Sequence, residues 1–260
     1  MILVDVHCHL DHEYFKDKLD EVLKRAKEAG IRAIITQGVN HESNEKLLEL
    51  AKKDPIIKPA MGLYPLDPPN VKLSTEDPFM SRSKVSVDKT LAFIEKNKNN
   101  IIAIGEVGMD FKFSDDEEPQ AENFKKIIDL ARKIKKPLII HSRKAEKSVI
   151  DLLEDAKFFN ADMHCFSGKK SQLKRGADLG LFFSIPTNVT RSDQFQSNVS
   201  HLPMANILTE TDAPWLSPYP GKMNEPAFIK EAVEKIAEIK KLTAEEAANQ
   251  IFQNYQKLFL

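Results

Sequence analysis

Ile2-Leu3-Val4-Asp5-Val6-His7-Cys8-His9 is an apolar run that ends on two histidines one residue apart. In a strand, successive side chains alternate faces, so His7 and His9 point the same way. Two imidazoles on one face form half of a transition-metal site. Glu106, His141, His164 and Asp212 each also stand near the end of a short apolar run. Six metal-competent side chains at the ends of five strands converge most simply if the strands are parallel and share an end. That arrangement is the catalytic face of a β/α barrel, so the expected fold class is α/β, a TIM (β/α)8 barrel.

The rest of the chain supports that reading. Eight apolar runs can be counted: 2–9, 33–39, 57–63, 101–108, 137–141, 161–166, 181–185 and 206–212. Most are nearly continuous in Ile, Val, Leu or Phe, as fully buried parallel strands require. Between them lie segments with helical spacing. Leu19, Val22, Leu23, Ala26 and Ala29 form one stripe that Gly30 stops, and Phe124, Ile127, Ile128 and Ala131 form another. Val149, Leu152 and Leu153 repeat the pattern after His141. Two helical segments, 226–240 and 243–259, end the chain, the second opening on a Thr243/Glu246 capping box. No linker or repeat interrupts this order, so residues 1–260 are expected to form one domain. Two long loops, 65–85 (with Pro65, Pro68, Pro69 and Pro78) and the acidic 110–119, follow strands and are expected to wall the ligand face.

The 260 residues suit a single barrel. A net charge of -1 gives no global attraction to nucleic acid, so a phosphate substrate must be drawn by local charge, bound metal included. No stretch is apolar enough to span a membrane and no signal segment opens the chain, so the expected compartment is the cytoplasm. Cys8 and Cys165 are the only cysteines. Each neighbours a proposed ligand and by alternation points away from it, towards the helical layer, reduced and unpaired.

Each candidate has a plainer reading. His7 and His9 could be ordinary core histidines, and Glu106 could sit in a core salt bridge. Yet Glu106 follows Ile101, Ile102 and Ile104 and is costly to bury unpaired, and bridging two cations removes that cost. Four histidines and two carboxylates exceed one tetrahedral zinc and suit two metals sharing Glu106. Asp212 closes the first site, since strand eight lies beside strand one, and is placed to deprotonate a water. Asp5, one layer deeper, orients His7 or pairs with a buried cation, and Glu210 supports the site from below or joins a buried ion pair. Arg143 with Lys144, and Ser167-Gly168-Lys169-Lys170, offer cations and donors to an anion, though solvated helix starts explain them nearly as well.

Taken together these motifs resemble TatD-type metal-dependent hydrolases, within the amidohydrolase-like barrels. The matching stretches are Asp5-Val6-His7-Cys8-His9-Leu10, Gly105-Glu106-Val107-Gly108-Met109-Asp110, Ile140-His141-Ser142-Arg143, His164-Cys165-Phe166-Ser167-Gly168 and Glu210-Thr211-Asp212-Ala213-Pro214. The resemblance runs from residue 2 to 259. It implies a distorted TIM barrel with a one- or two-metal site of Mg, Mn or Zn, as in deoxyribonucleases. By position, His7, His9, Glu106 and Asp212 would hold the first metal, and Glu106, His141 and His164 the second. The family pattern after the third strand is Gly-x-His-Pro-His; here it is Gly62-Leu63-Tyr64-Pro65-Leu66, which places Tyr64 and Leu66 where rim histidines are expected.

The leading expectation is therefore a divalent-metal phosphodiesterase that cleaves DNA through a metal-activated water. Glu106 and Asp212 are its catalytic carboxylates. Tyr64, Arg143 and Ser167 contact the substrate. A small-molecule amide, ester or phosphoester hydrolase is the alternative within enzymology. A metal-retaining binding protein is the alternative outside it. No obligate protein partner is evident.

Overall fold

The computed structural model describes residues 1–75 and 84–260, and Pro78 lies outside the described residues. Among the described residues there are eight strands: β1 (Leu3–Cys8), β2 (Ile31–Gln37), β3 (Ile57–Met61), β4 (Ala103–Gly108), β5 (Leu138–His141), β6 (Ala161–His164), β7 (Phe182–Pro186) and β8 (Ile207–Glu210). They lie side by side in chain order, and every neighbouring pair is parallel.

β8 returns to β1 just past the strand ends. Asp212 N donates to the His7 carbonyl at 2.8 Å, and His9 N donates to the Ala213 carbonyl at 2.9 Å. Below them, side chains complete the seam: Thr209 Oγ1 donates to the Val4 carbonyl at 2.8 Å and Thr211 N to Asp5 Oδ1 at 2.9 Å. The barrel is thus nearly closed, and residues at the ends of β8 and β1 become neighbours.

Helices α1 (Leu19–Glu28), α2 (His41–Lys53), α3 (Val87–Lys96), α4 (Glu117–Ile134), α5 (Glu146–Asp155), α6 (Lys170–Asp178), α7 (Asp193–His201), α8 (Ile229–Lys240) and α9 (Ala244–Phe259) follow the strands. Each turns its apolar stripe onto the sheet. On α4 the buried positions include Phe124, Ile127, Ile128 and Ala131, the stripe read from spacing. Burying each such large side chain contributes about 1.5–3 kcal/mol. Gly30 stops α1 at φ +95°, and Thr243 and Glu246 cap each other at the start of α9.

Boundaries differ from the apolar runs where side-chain pattern and backbone pairing diverge. β2 begins at Ile31, two residues early, because Ile31 already pairs with Leu3; the exposed Arg32 is skipped before Ala33 pairs with Val4. β8 stops at Glu210 because Asp212 leaves the extended region, at φ +53°. The segment at 226–228 is a 3-10 turn ahead of α8.

The described part of the 65–85 loop and the 110–119 loop lie on the expected face and bind each other. Ser74 N donates to the Phe113 carbonyl at 2.8 Å, and Ser114 Oγ to the Lys72 carbonyl at 2.6 Å. Tyr64, Leu66 and Val71 form a small apolar cluster beneath them, packed against Val39, Leu73 and Phe113. Among the described residues, no helix is long and apolar enough to cross a membrane.

Candidate active site

Strand alternation carries His7 and His9 to one face at the end of β1, with their Nε2 atoms 3.2 Å apart. The Glu106 Oε2 atom from β4 lies 3.7 Å from His7 Nε2 and 3.6 Å from His9 Nε2. Asp212 Oδ1, brought in by the seam with β8, lies 3.6 Å and 3.5 Å from the same two nitrogens. Donors set tetrahedrally around an ion at ~2.1 Å stand about 3.4 Å apart. Five of the six edges of this group therefore match a metal-binding tetrahedron within a few tenths of an ångström.

The other oxygen of Glu106 faces a second group. Its Oε1 lies 2.8 Å from His141 Nδ1 and 3.3 Å from His164 Nε2. The far nitrogen of each imidazole is held by another carboxylate: His141 Nε2 by Asp110 at 2.8 Å and His164 Nδ1 by Glu210 at 3.3 Å. Such outer carboxylates set the tautomer and turn the free nitrogen towards a shared centre. Glu106 thus joins two donor groups, one through each oxygen.

Glycines let the strand ends approach. A Cβ on Gly62 would fall on the Gly105–Glu106 peptide. Gly108 sits at φ +135°, with the His141 carbonyl where a Cβ would go. Any side chain at either position would displace Glu106 or His141.

Burial raises the cost of charge here, and the partners decide which groups bear it. Burial opposes ionisation of Glu106, but hydrogen bonds to His141 and His164 hold its carboxyl well below the usual range. Burial pushes His7 well below the ordinary imidazole value, and neighbouring imidazoles add to that. It also works against charge on His9, His141 and His164, yet the facing carboxylates outweigh it and raise all three. Asp110 is fully buried, but His141 and Arg143 bring it down to about 2. The inner donors are imidazoles and carboxylates alone, a set suited to a divalent cation.

The donors open into a pocket of about 490 Å³. Arg143 is the only Lys or Arg among its described lining residues, and Ser167 also lines it. Arg143 Nε donates to Asp110 Oδ2 and its Nη2 to the Tyr64 hydroxyl, both at 2.7 Å. The Tyr64 hydroxyl donates to the same Asp110 oxygen at 3.1 Å. Ser167 Oγ donates to Glu146 Oε1 at 3.2 Å.

The structure therefore brings together His7, His9, Glu106, His141, His164 and Asp212, with Tyr64, Arg143 and Ser167 on the surrounding walls. Three sequence expectations need correction. Among the described residues Asp5 touches neither the His7 ring nor a buried cation; its Oδ2 accepts from Thr211 Oγ1 at 2.6 Å, so it ties the end of β8 to β1 instead. Leu66 is not at the rim. It lies in the loop cluster, 1% exposed, and only Tyr64 of that pair lines the pocket. Cys165 does not point to the helical layer. Its backbone turns left-handed at φ +47°, alternation fails there, and the residue lines the pocket. Cys8 keeps its expected buried, unpaired place.

Sequence reasoning missed Asp110, which reads as the first residue of an acidic loop although it stands only two residues past the end of β4. It also missed Asp11, His12 and Trp215, which line the pocket beside His9. Trp215 carried a signal, as the single tryptophan of the chain set just past a strand end.

Comparison with known proteins agrees with this geometry. A family model described as "TatD related DNase" matches residues 4–260. The human protein named "Deoxyribonuclease TATDN3" is 35% identical over 263 residues, covering 99% of this chain and 94% of that protein. A protein of Methanocaldococcus jannaschii named as an uncharacterized metal-dependent hydrolase is 35% identical over 256 residues, covering 98% of this chain and 96% of its own length. Among solved structures, the YJJV TatD homologue of Escherichia coli K12 superposes with a TM-score of 0.86 at 27% identity, covering 99% of this chain and 97% of that one. The chain belongs to the TatD-related DNase family.

Proposed function

We propose that this protein is a divalent-metal-dependent phosphodiesterase that cleaves DNA. The observation that carries the reading is the pair of donor groups joined by Glu106, on a chain whose relatives are named deoxyribonuclease and metal-dependent hydrolase. In this reading two divalent ions (Mg, Mn or Zn) are held, one by His7, His9, Glu106 and Asp212, the other by Glu106, His141 and His164. When bound, such ions supply Lewis acidity, acidifying water and neutralising charge that builds on the phosphate.

The chain's own residues do the rest. Asp212 takes the proton of the attacking water on the carboxylate oxygen that does not face the histidine pair. Asp110 and Glu210 keep His141 and His164 in the tautomers that face Glu106. Tyr64 and Arg143 meet a phosphate oxygen, and Ser167 offers a hydroxyl across the pocket. The pocket walls orient the ester over the two groups, so that attack and departure occur in line. A reducing compartment such as the cytoplasm suits the two free cysteines.

The test is turnover by metal-reconstituted protein on end-labelled single-stranded DNA, with generic phosphodiester and carboxylic ester substrates alongside. DNA cleavage that a chelator abolishes and a divalent ion restores is the expected result. Ester turnover without DNA cleavage, at full metal content, would replace the nuclease reading with that of a small-molecule hydrolase.

A further inference from the structure

The pocket has two unlike flanks. On one side of the shared Glu106, Tyr64 packs against His141, with ring centroids 5.0 Å apart. Tyr64 is only 6% exposed, and its hydroxyl is tied to Asp110 and Arg143. That side offers a cation and hydroxyl, and almost no open ring surface. On the other side, Trp215 packs edge-on against His9 at 5.3 Å and against His12 at 5.3 Å. Trp215 is half-buried and lines the pocket, so part of the indole faces the cavity. Asp11, next to His12 in the chain, also lines the pocket. No Lys or Arg lines this flank among the described residues. The charges that reach Asp11 are those of the His9 and His12 imidazoles and of Lys46, which is exposed and paired with Glu42 at 3.0 Å.

These flanks select different parts of one substrate. A carboxylate repels phosphate and accepts hydrogen bonds from amino groups. The part of the indole that faces the cavity can stack on a planar ring, and every nucleobase has such a face. Resting on the nuclease reading above, we propose that Trp215, His12 and Asp11 form a nucleobase subsite. A base of the substrate stacks on Trp215, and Asp11 accepts from its exocyclic amino group. The scissile phosphate then lies over Glu106, and the chain continues towards Tyr64 and Arg143. Guanine, adenine and cytosine carry the amino group, and thymine does not. The subsite therefore prefers the first three over thymine.

Because Trp215 is the single tryptophan, its emission reports on this flank alone. Metal-loaded protein is titrated with a deoxycytidine dinucleotide, a thymidine dinucleotide and deoxyribose 5-phosphate. Quenching by both dinucleotides, tighter for cytosine, and none by the sugar phosphate is expected. Asp11→Ala should remove the cytosine advantage while keeping the quench. In parallel, cleavage is compared on oligonucleotides with and without an abasic residue at the terminal positions. Native protein should lose roughly tenfold or more in kcat/KM at one abasic position, mostly through KM. Trp215→Ala should lose that discrimination and match native protein on the abasic strand, with Trp215→Phe in between. Equal quenching by the sugar phosphate, or an equal loss by Trp215→Ala on both strands, overturns the subsite. Base-dependent quenching with no cleavage of any strand would keep the subsite and overturn the nuclease reading instead.

Discussion

Glu106 carries more of this site than any other side chain, because each of its oxygens faces a different donor group. Replacing it with Gln keeps the shape and removes the charge that both groups share. Glu106→Gln should lower kcat/KM on DNA by on the order of 10²–10³-fold and reduce metal content at both sites. His164→Ala touches one group and should cost less, with one metal retained. Equal losses of rate, with full metal in the Glu106 variant, would remove the bridging role. Asp110→Asn tests the hold on His141 from behind. Metal affinity should fall about 10–100-fold, measured by competition with a chelator of known affinity. Leu66 and Tyr64 separate here, although the sequence paired them. Leu66→His puts an imidazole into an apolar cluster and should cost about 1–3 kcal/mol of stability in a denaturant melt. Tyr64→Phe leaves packing intact, and its effect should fall on KM for DNA.

At the scale of elements, the site is a property of strand ends. His7, Glu106, His141 and His164 were legible because each closes a short apolar run, and parallel strands that share an end must bring them together. Asp212 was legible through ring closure, since β8 can meet only β1. What alternation misplaced lies where the backbone leaves the strand. Cys165 is left-handed, so parity gave the wrong side. Asp5 was assigned to the wrong partner because Thr211, across the seam, cannot be weighed against His7 from local pattern alone. Asp110 was hidden because a carboxylate at a loop start reads as solvated, and its imidazole and guanidinium partners come from β5 and the residues just after it. Two substitutions separate scaffold from site at this scale. Thr243→Ala removes the α9 capping box far from the pocket and should cost about 1 kcal/mol in melting experiments, with kcat/KM unchanged. Gly62→Ala drives a methyl into the Gly105–Glu106 peptide and should lower metal content and activity together. Unchanged metal content in the Gly62 variant would mean that β3 does not position Glu106.

For the molecule as a whole, a net charge of -1 leaves capture of a polyanion to the pocket itself. Each phosphate contact on a single strand contributes a slope of about 0.7 in the dependence of log affinity on log salt. The pocket walls supply one or two such contacts, so a slope of about 0.7–1.4 is expected for KM on single-stranded DNA. A slope several times larger would reveal a basic track outside the pocket. Metal and fold are also coupled, since the donors converge only when the barrel closes. Saturating the sites at ~100 times the dissociation constant should stabilise the chain by about 2.7 kcal/mol per site, and a chelator should reverse it. A metal titration of the chelated protein, with bound metal and cleavage of labelled single-stranded DNA read on the same samples, decides whether the joined donor groups form a two-metal nuclease centre. DNA cleavage that rises with occupancy and levels off at two ions per chain is the predicted result. Two ions bound with no cleavage of DNA would contradict it.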